Sequence, residues 1–166
     1  MALPTSVPAD GNLKVAFVPA LADQAAPTAT ELTGAGVVDL SCYLTADGFT
    51  PGGDEQVISD DRLCSTQTFE QPGRFSDTLD VTYVHGDTTD NEAYETLTHL
   101  TTGFVVARWA KPYDTAFAAA DVVDVYPVTC GKQAKQPPEA NSVLRCAQKL
   151  FVTGPVQRDV AVAAGA

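Results

Sequence analysis

The sequence predicts a mainly β protein, an antiparallel β-sandwich or small barrel-like domain with one flanking α-helix. Three observations carry that prediction. Runs of alternating apolar and polar residues recur along the chain, β-branched and aromatic residues dominate them, and segments rich in glycine and proline separate them. One stretch alone has the punctuation of a helix, and no repeat of fixed period points to a solenoid or propeller. The 166 residues fit one domain. Chains near this size bury roughly two-thirds of their extended surface, enough for a single core.

Residues 1–12, "MALPTSVPADGN", read as an extended arm, because Pro4 and Pro8 forbid a helix and Asp10-Gly11-Asn12 signals a turn. The domain proper then spans residues 13–166. "NLKVAFVPAL" is a first strand with Leu13, Val15 and Phe17 on one face and Lys14 and Ala16 on the other. "VVDLSCYL" alternates in the same way, placing Val38, Leu40, Cys42 and Leu44 inward and Asp39, Ser41 and Tyr43 outward. Glycine, proline and acidic residues crowd the following segment, so residues 45–57 are expected to project as a loop or a loosely paired ribbon.

A bent strand is expected from Val57 to Glu70, ended by a Pro72-Gly73 turn. "DTLDVTYVH" sets Leu79, Val81 and Tyr83 inward against Thr78, Asp80 and Thr82. The helix follows: Thr89-x-x-Glu92 has the pattern of a capping box, Ala93, Leu97 and Leu100 share a face, and Gly103 supplies a stop. Strands resume in "GFVVARWA", "DVVDVYPVTC", "NSVLRCAQKLFVTG" and "VQRDVAVAA".

Charge narrows the function classes. Twenty-one acids against 10 bases give a formal −11, and no cluster of Lys and Arg offers the basic patch that phosphate backbones require. Such a surface repels DNA, which matters where DNA must pass without sticking. No apolar run is long enough to span a membrane, and the N-terminus lacks the basic and apolar regions of a signal peptide, so neither membrane insertion nor export is expected. Cys42, Cys64, Cys130 and Cys146 are isolated from one another; they are expected to be reduced, small and buried.

Chemistry is sparse. His85 and His99 sit in no HxH, HExxH or nucleophile-base pattern, and "TGAG" and "TPGGDEQ" lack the lysine and helix of a phosphate loop. No catalytic residue, cofactor or metal is expected. Trp109 is expected in the core, although with Tyr113 and Tyr126 it could form a sugar platform. In "SDDRLCS", alternation sends Asp61, Leu63 and Ser65 to one face and Asp60, Arg62 and Cys64 to the other. The acids are therefore no dyad, and Asp60 can pair with Arg62 along one face.

Several segments in succession, "VISDDRLCSTQTFEQPG", "TLDVTYV", "NEAYETL", "GFVVARWAKPYD" and "NSVLRCAQKLFVTGPVQRDVAVA", resemble the major tail tube proteins of bacteriophages with long non-contractile tails, especially those infecting actinobacteria. The resemblance implies a structural, non-enzymatic protein that assembles with itself into stacked hexameric rings. It implies a conduit for DNA ejection in the virion tail, made in the host cytoplasm, with tape measure, tail terminator and distal tail proteins as further partners. Under it, Asp47, Phe49, Asp54, Glu55, Asp60, Asp61 and Arg62 become candidates for subunit contacts, and Asp39, Ser41, Asp80 and Thr82 for the lumen. Some relatives carry an added immunoglobulin-like domain; the ending "AVAAGA" leads us to expect none here. A tail terminator or connector ring and a carbohydrate-binding β-sandwich remain as alternatives.

Overall fold

A computed structural model describes residues 3–87 and 89–165. Ten elements follow one another: β1 (Leu13–Val18), α1 (Ala29–Leu32), β2 (Val38–Asp39), β3 (Leu44–Asp60), β4 (Phe69–Val84), α2 (Glu92–Thr96), β5 (Thr102–Trp109), β6 (Val122–Lys135), β7 (Arg145–Val152) and β8 (Gln157–Ala161). The strands form one antiparallel sheet in the order β2-β1-β5-β6-β7-β4-β3, with β8 beside β6, and the sheet curls into a half-barrel. The mainly β prediction is therefore met, by a single curled sheet with two short helices.

Both faces of the central strands are buried. Val15, Phe17, Leu79, Val81, Tyr83, Val105, Tyr126, Val128 and Leu150 fill the inside of the curl beneath Ala93 of α2 and its C-cap Leu97. On the reverse face Ala16, Val18, Val106, Val123 and Val125 pack against Leu32 of α1, Phe117 and Val162. Two-sided burial explains the nearly continuous apolar runs of β1 and β5. The second cluster is closed by the C-terminal segment: Ala120 donates its N–H to the Val162 carbonyl, and Ala163 bonds to both Pro27 and Ala29.

Buried polar side chains are largely tied down rather than solvated, Arg108 Nε being the one buried side-chain nitrogen or oxygen without a partner among the described residues. Gln148 donates to the carbonyls of Leu97 (2.7 Å) and Gly131 (2.9 Å) and accepts from the Tyr83 hydroxyl (3.0 Å), linking α2 to β6, β7 and β4. Arg108 holds the 110–121 segment by donating to the carbonyls of Pro112, Thr115 and Ala116 and to Asp121.

Several local expectations need correction. Residues 38–44 are not one strand, since β2 ends at Asp39 and Ser41–Tyr43 form a turn. Segment 45–57 is not a loop but part of the 17-residue β3, paired with the 16-residue β4 from Leu44↔Tyr83 to Asp60↔Phe69. Nor does Pro72-Gly73 make a turn; it lies inside β4 at a register shift, where a Cβ on Gly73 would come within 2.7 Å of the Gln56 carbonyl. Proline and glycine are tolerated there because β3 is an edge strand and the shift is a bulge.

The helix expected from Thr89 begins instead at Glu92 and runs five residues. Its N-cap, Asn91, makes no capping bond because its amide exchanges two hydrogen bonds with Gly86. Leu100 is exposed and Gly103 lies in β5. The complete capping box belongs to α1, where the Glu31 N–H donates to Thr28 Oγ1 (3.3 Å) and the Thr28 N–H to Glu31 Oε2 (2.9 Å). Cys130 and Cys146 are buried as expected, but Cys42 and Cys64 are exposed, because one lies in the 41–43 turn and the other in the β3–β4 turn.

Candidate assembly surfaces

The β3–β4 hairpin outruns the sheet. Strand β7 pairs with β4 from Leu79 onward, so residues 52–60 and 69–77 continue as a two-stranded ribbon over roughly 30 Å, at about 3.3 Å per residue. A hairpin of two strands is marginal by itself in water. Its apolar side chains are nevertheless uncovered: Val57, Ile58, Phe69 and Phe75 are 58%, 55%, 56% and 74% exposed. Exposed apolar side chains concentrated on one element make it a candidate for burial against a partner.

Five of the seven expected contact residues lie on or at the tip of this ribbon. Asp54 and Glu55 are exposed on β3, and Asp60, Asp61 and Arg62 enter the turn. Arg62 holds Asp60 in a two-point ion pair, Nε to Oδ1 at 3.0 Å and Nη2 to Oδ2 at 2.9 Å. Its exposure to solvent screens the pair, so it shapes the tip more than it stabilises the fold. Asp47 lies at the ribbon's base, accepting from Thr45. Phe49 turns inward to meet Trp109 and Tyr126 at ring-centroid distances of 6.0 and 6.1 Å.

The lumen candidates separate into two groups. Asp39 receives the Lys14 ammonium, which also donates to the Tyr113 carbonyl, and Ser41 exchanges hydrogen bonds with the Val15 backbone. Burial opposes ionisation of Asp39, but Lys14 and the two Ser41 donors outweigh it and hold the carboxyl below its ordinary value. Asp80 and Thr82 lie instead on the outer face of β4, where Asp80 is exposed and directly opposite Lys149 of β7.

A groove of about 740 Å³ opens where the curled sheet fails to close, between β1 and β3. Leu13, Leu44, Phe49, Trp109 and Tyr113 line it, together with the arm residues Val7–Asn12. Trp109, expected in the core, is half exposed here because β5 ends at this opening, and its indole N–H donates to Asp124 at 2.8 Å. Tyr126, the third member of the supposed sugar platform, is buried. The three aromatics thus form no common exposed face. Among the described residues no group of His, Cys, Asp and Glu converges to hold a metal ion, and no helix is long and apolar enough to cross a membrane.

Comparison with known proteins gives the fold and the family. No curated protein matches the chain. Among solved structures, a chain from the cryo-EM structure of the anti-feeding prophage baseplate, 6-fold symmetrised, is similar at 8% identity with a TM-score of 0.56, over 95% of this chain and 96% of that one. At that identity the likeness concerns the fold. The family model for the phage tail tube protein matches residues 1–165, the whole described length of the domain and its arm, and on that ground the chain belongs to the phage tail tube protein family.

Proposed function

We propose that six copies of this chain form a ring and that rings stack into the tube through which phage DNA is ejected. The family match along residues 1–165 carries this reading. The uncovered ribbon supports it, because a head-to-tail ring gives each copy a neighbour on which to bury an apolar extension. The 6-fold symmetry of the similar baseplate assembly also favours six. In such a tube the protein is a structural component without enzymatic activity, and tape measure, tail terminator and distal tail proteins contact its ends or lumen.

Asp80 and Thr82 are the lumen candidates that the fold leaves available, since Asp39 and Ser41 are committed to β1. The net charge of −11 per copy disfavours adhesion of DNA to the wall as it passes. Asp47, Asp54, Glu55, Asp60, Asp61 and Arg62 contact neighbouring copies, and the arm at residues 3–12 contacts the adjoining ring.

Electron microscopy of the purified chain tests the reading. Long hollow tubes are expected. Isolated rings that never stack would favour a terminator or connector, and monomers at high concentration would overturn both. Replacing residues 53–76 by a short Asn-Gly turn should leave a folded domain that forms no tubes.

A further inference from the structure

The ribbon's apolar side chains do not share a face. In β3, residues alternate, so Glu55, Val57 and Ser59 point one way and Asp54, Ile58 and Asp60 the other. The register assigns their partners: Phe75 opposes Glu55 and Pro72 opposes Val57, while Gln71 opposes Ile58 and Phe69 opposes Asp60. The register shift at Gly73-Arg74 is what brings Phe75 and Pro72 onto the same side as Val57. One face therefore bears Val57, Pro72 and Phe75, and the other Ile58 and Phe69.

An arm laid on a single partner would keep one face polar, as half-buried strands do. This ribbon carries large exposed apolar side chains, set among acids and other polar residues, on both. From one end to the other, a single face offers about 30 Å by 10 Å, or roughly 300 Å², against the roughly 800 Å² per partner of a stable protein contact. Each face therefore supplies part of a subunit contact rather than the whole of one. The edges are unsuited to strand addition, because Pro72 lacks an N–H donor and the bulge bends the pairing.

We infer that each ribbon is gripped between two other copies of this chain, one on the Val57/Phe75 face and a different one on the Ile58/Phe69 face. This rests on the tube reading above and goes beyond it: one contact closes the ring and the other joins rings, so the ribbon couples the two steps of assembly. The occupants are copies of this chain because a homopolymer supplies every ribbon with two further subunits in fixed positions.

Val57 and Ile58 are adjacent and point to opposite faces, which makes them the cleanest pair to test. The full chain carrying Val57→Ser or Ile58→Ser is assembled and scored by electron microscopy and sedimentation beside the wild type. One variant is expected to stop at free rings and the other at monomers, each with tube yield reduced at least tenfold. Phe75→Ser should behave as Val57→Ser does, and Phe69→Ser as Ile58→Ser. All four positions lie outside both cores, so melting temperatures should stay within about 2 °C of wild type. Variants of the two faces ending at the same species, or either polymerising normally, would overturn the two-copy grip while leaving the tube reading intact. A wild-type chain that makes no tubes would sink both.

Discussion

Arg108 donates from Nη1 to Asp121 Oδ2 at 2.9 Å, with side chains 2% and 8% exposed, beneath the segment that joins β5 to β6. The same guanidinium satisfies three carbonyls of that segment, and Phe117 lies over it at 5.2 Å from the ring centroid. Asp121→Asn removes the countercharge and leaves a buried cation. A loss of about 3–5 kcal/mol in unfolding free energy is expected, measured by urea denaturation of the monomer.

Acid should weaken the same region. Burial disfavours the charged Asp121, yet Lys111, the Ala118 N–H and Arg108 together hold its carboxyl below the ordinary 3.8. A depressed folded value contributes stability that is complete above the unfolded value and lost as pH falls through the folded one. Melting temperature should therefore drop as pH falls below about 4, and Asp121→Asn should flatten that drop.

Gln148→Ala should cost about 2–4 kcal/mol, since it deprives the Tyr83 hydroxyl and the Leu97 and Gly131 carbonyls of a buried partner. Hydrogen exchange should show α2 loosening first, because Gln148 ties its C-terminal end to the sheet.

A thiol reagent should label two of the four cysteines in the native chain, Cys42 and Cys64, and the other two after unfolding. Burial pushes the Cys130 thiol up to about 11, so it stays protonated as well as shielded at neutral pH. Mass spectrometry of labelled peptides decides the matter.

Charge reversal should distinguish the two acids once grouped for the lumen. Asp39→Lys places two ammonium groups together at Lys14 and should lower the melting temperature. Asp80→Lys should leave it nearly unchanged and, in a tube, slow DNA delivery; failure of the latter variant to assemble would assign Asp80 to an interface.

Alternation made the central strands legible: Leu79, Val81 and Tyr83 face inward as their period-two spacing requires, as do Val15 and Phe17. A paired ribbon was one of two readings of residues 45–57, but its length and its partner strand were hidden because Pro51, Gly52, Gly53, Pro72 and Gly73 are turn formers in isolation, and what makes them strand is an edge position and a bulge set by tertiary pairing. Trp109 and Cys64 were misplaced for a related reason, since strand composition does not reveal where a sheet opens or a hairpin tip protrudes. A local signal for α1 was present in Thr28-x-x-Glu31 but lay within an alanine- and proline-rich connection. The residues proposed for contacts could be named from the sequence but not arranged, because the faces they share depend on a register that only long-range pairing defines.

The stitch between residues 27–29 and residues 162–163 governs timing. Val162 completes the reverse-face cluster, and Ala163 hydrogen-bonds with Pro27 and Ala29, so an early segment of the domain waits for one synthesised more than 130 residues later. A nascent chain in which residues 162–163 are still inside the ribosome lacks that closure. The reverse face of the sheet thus closes only after those residues emerge, by contacts of high sequence separation that form late.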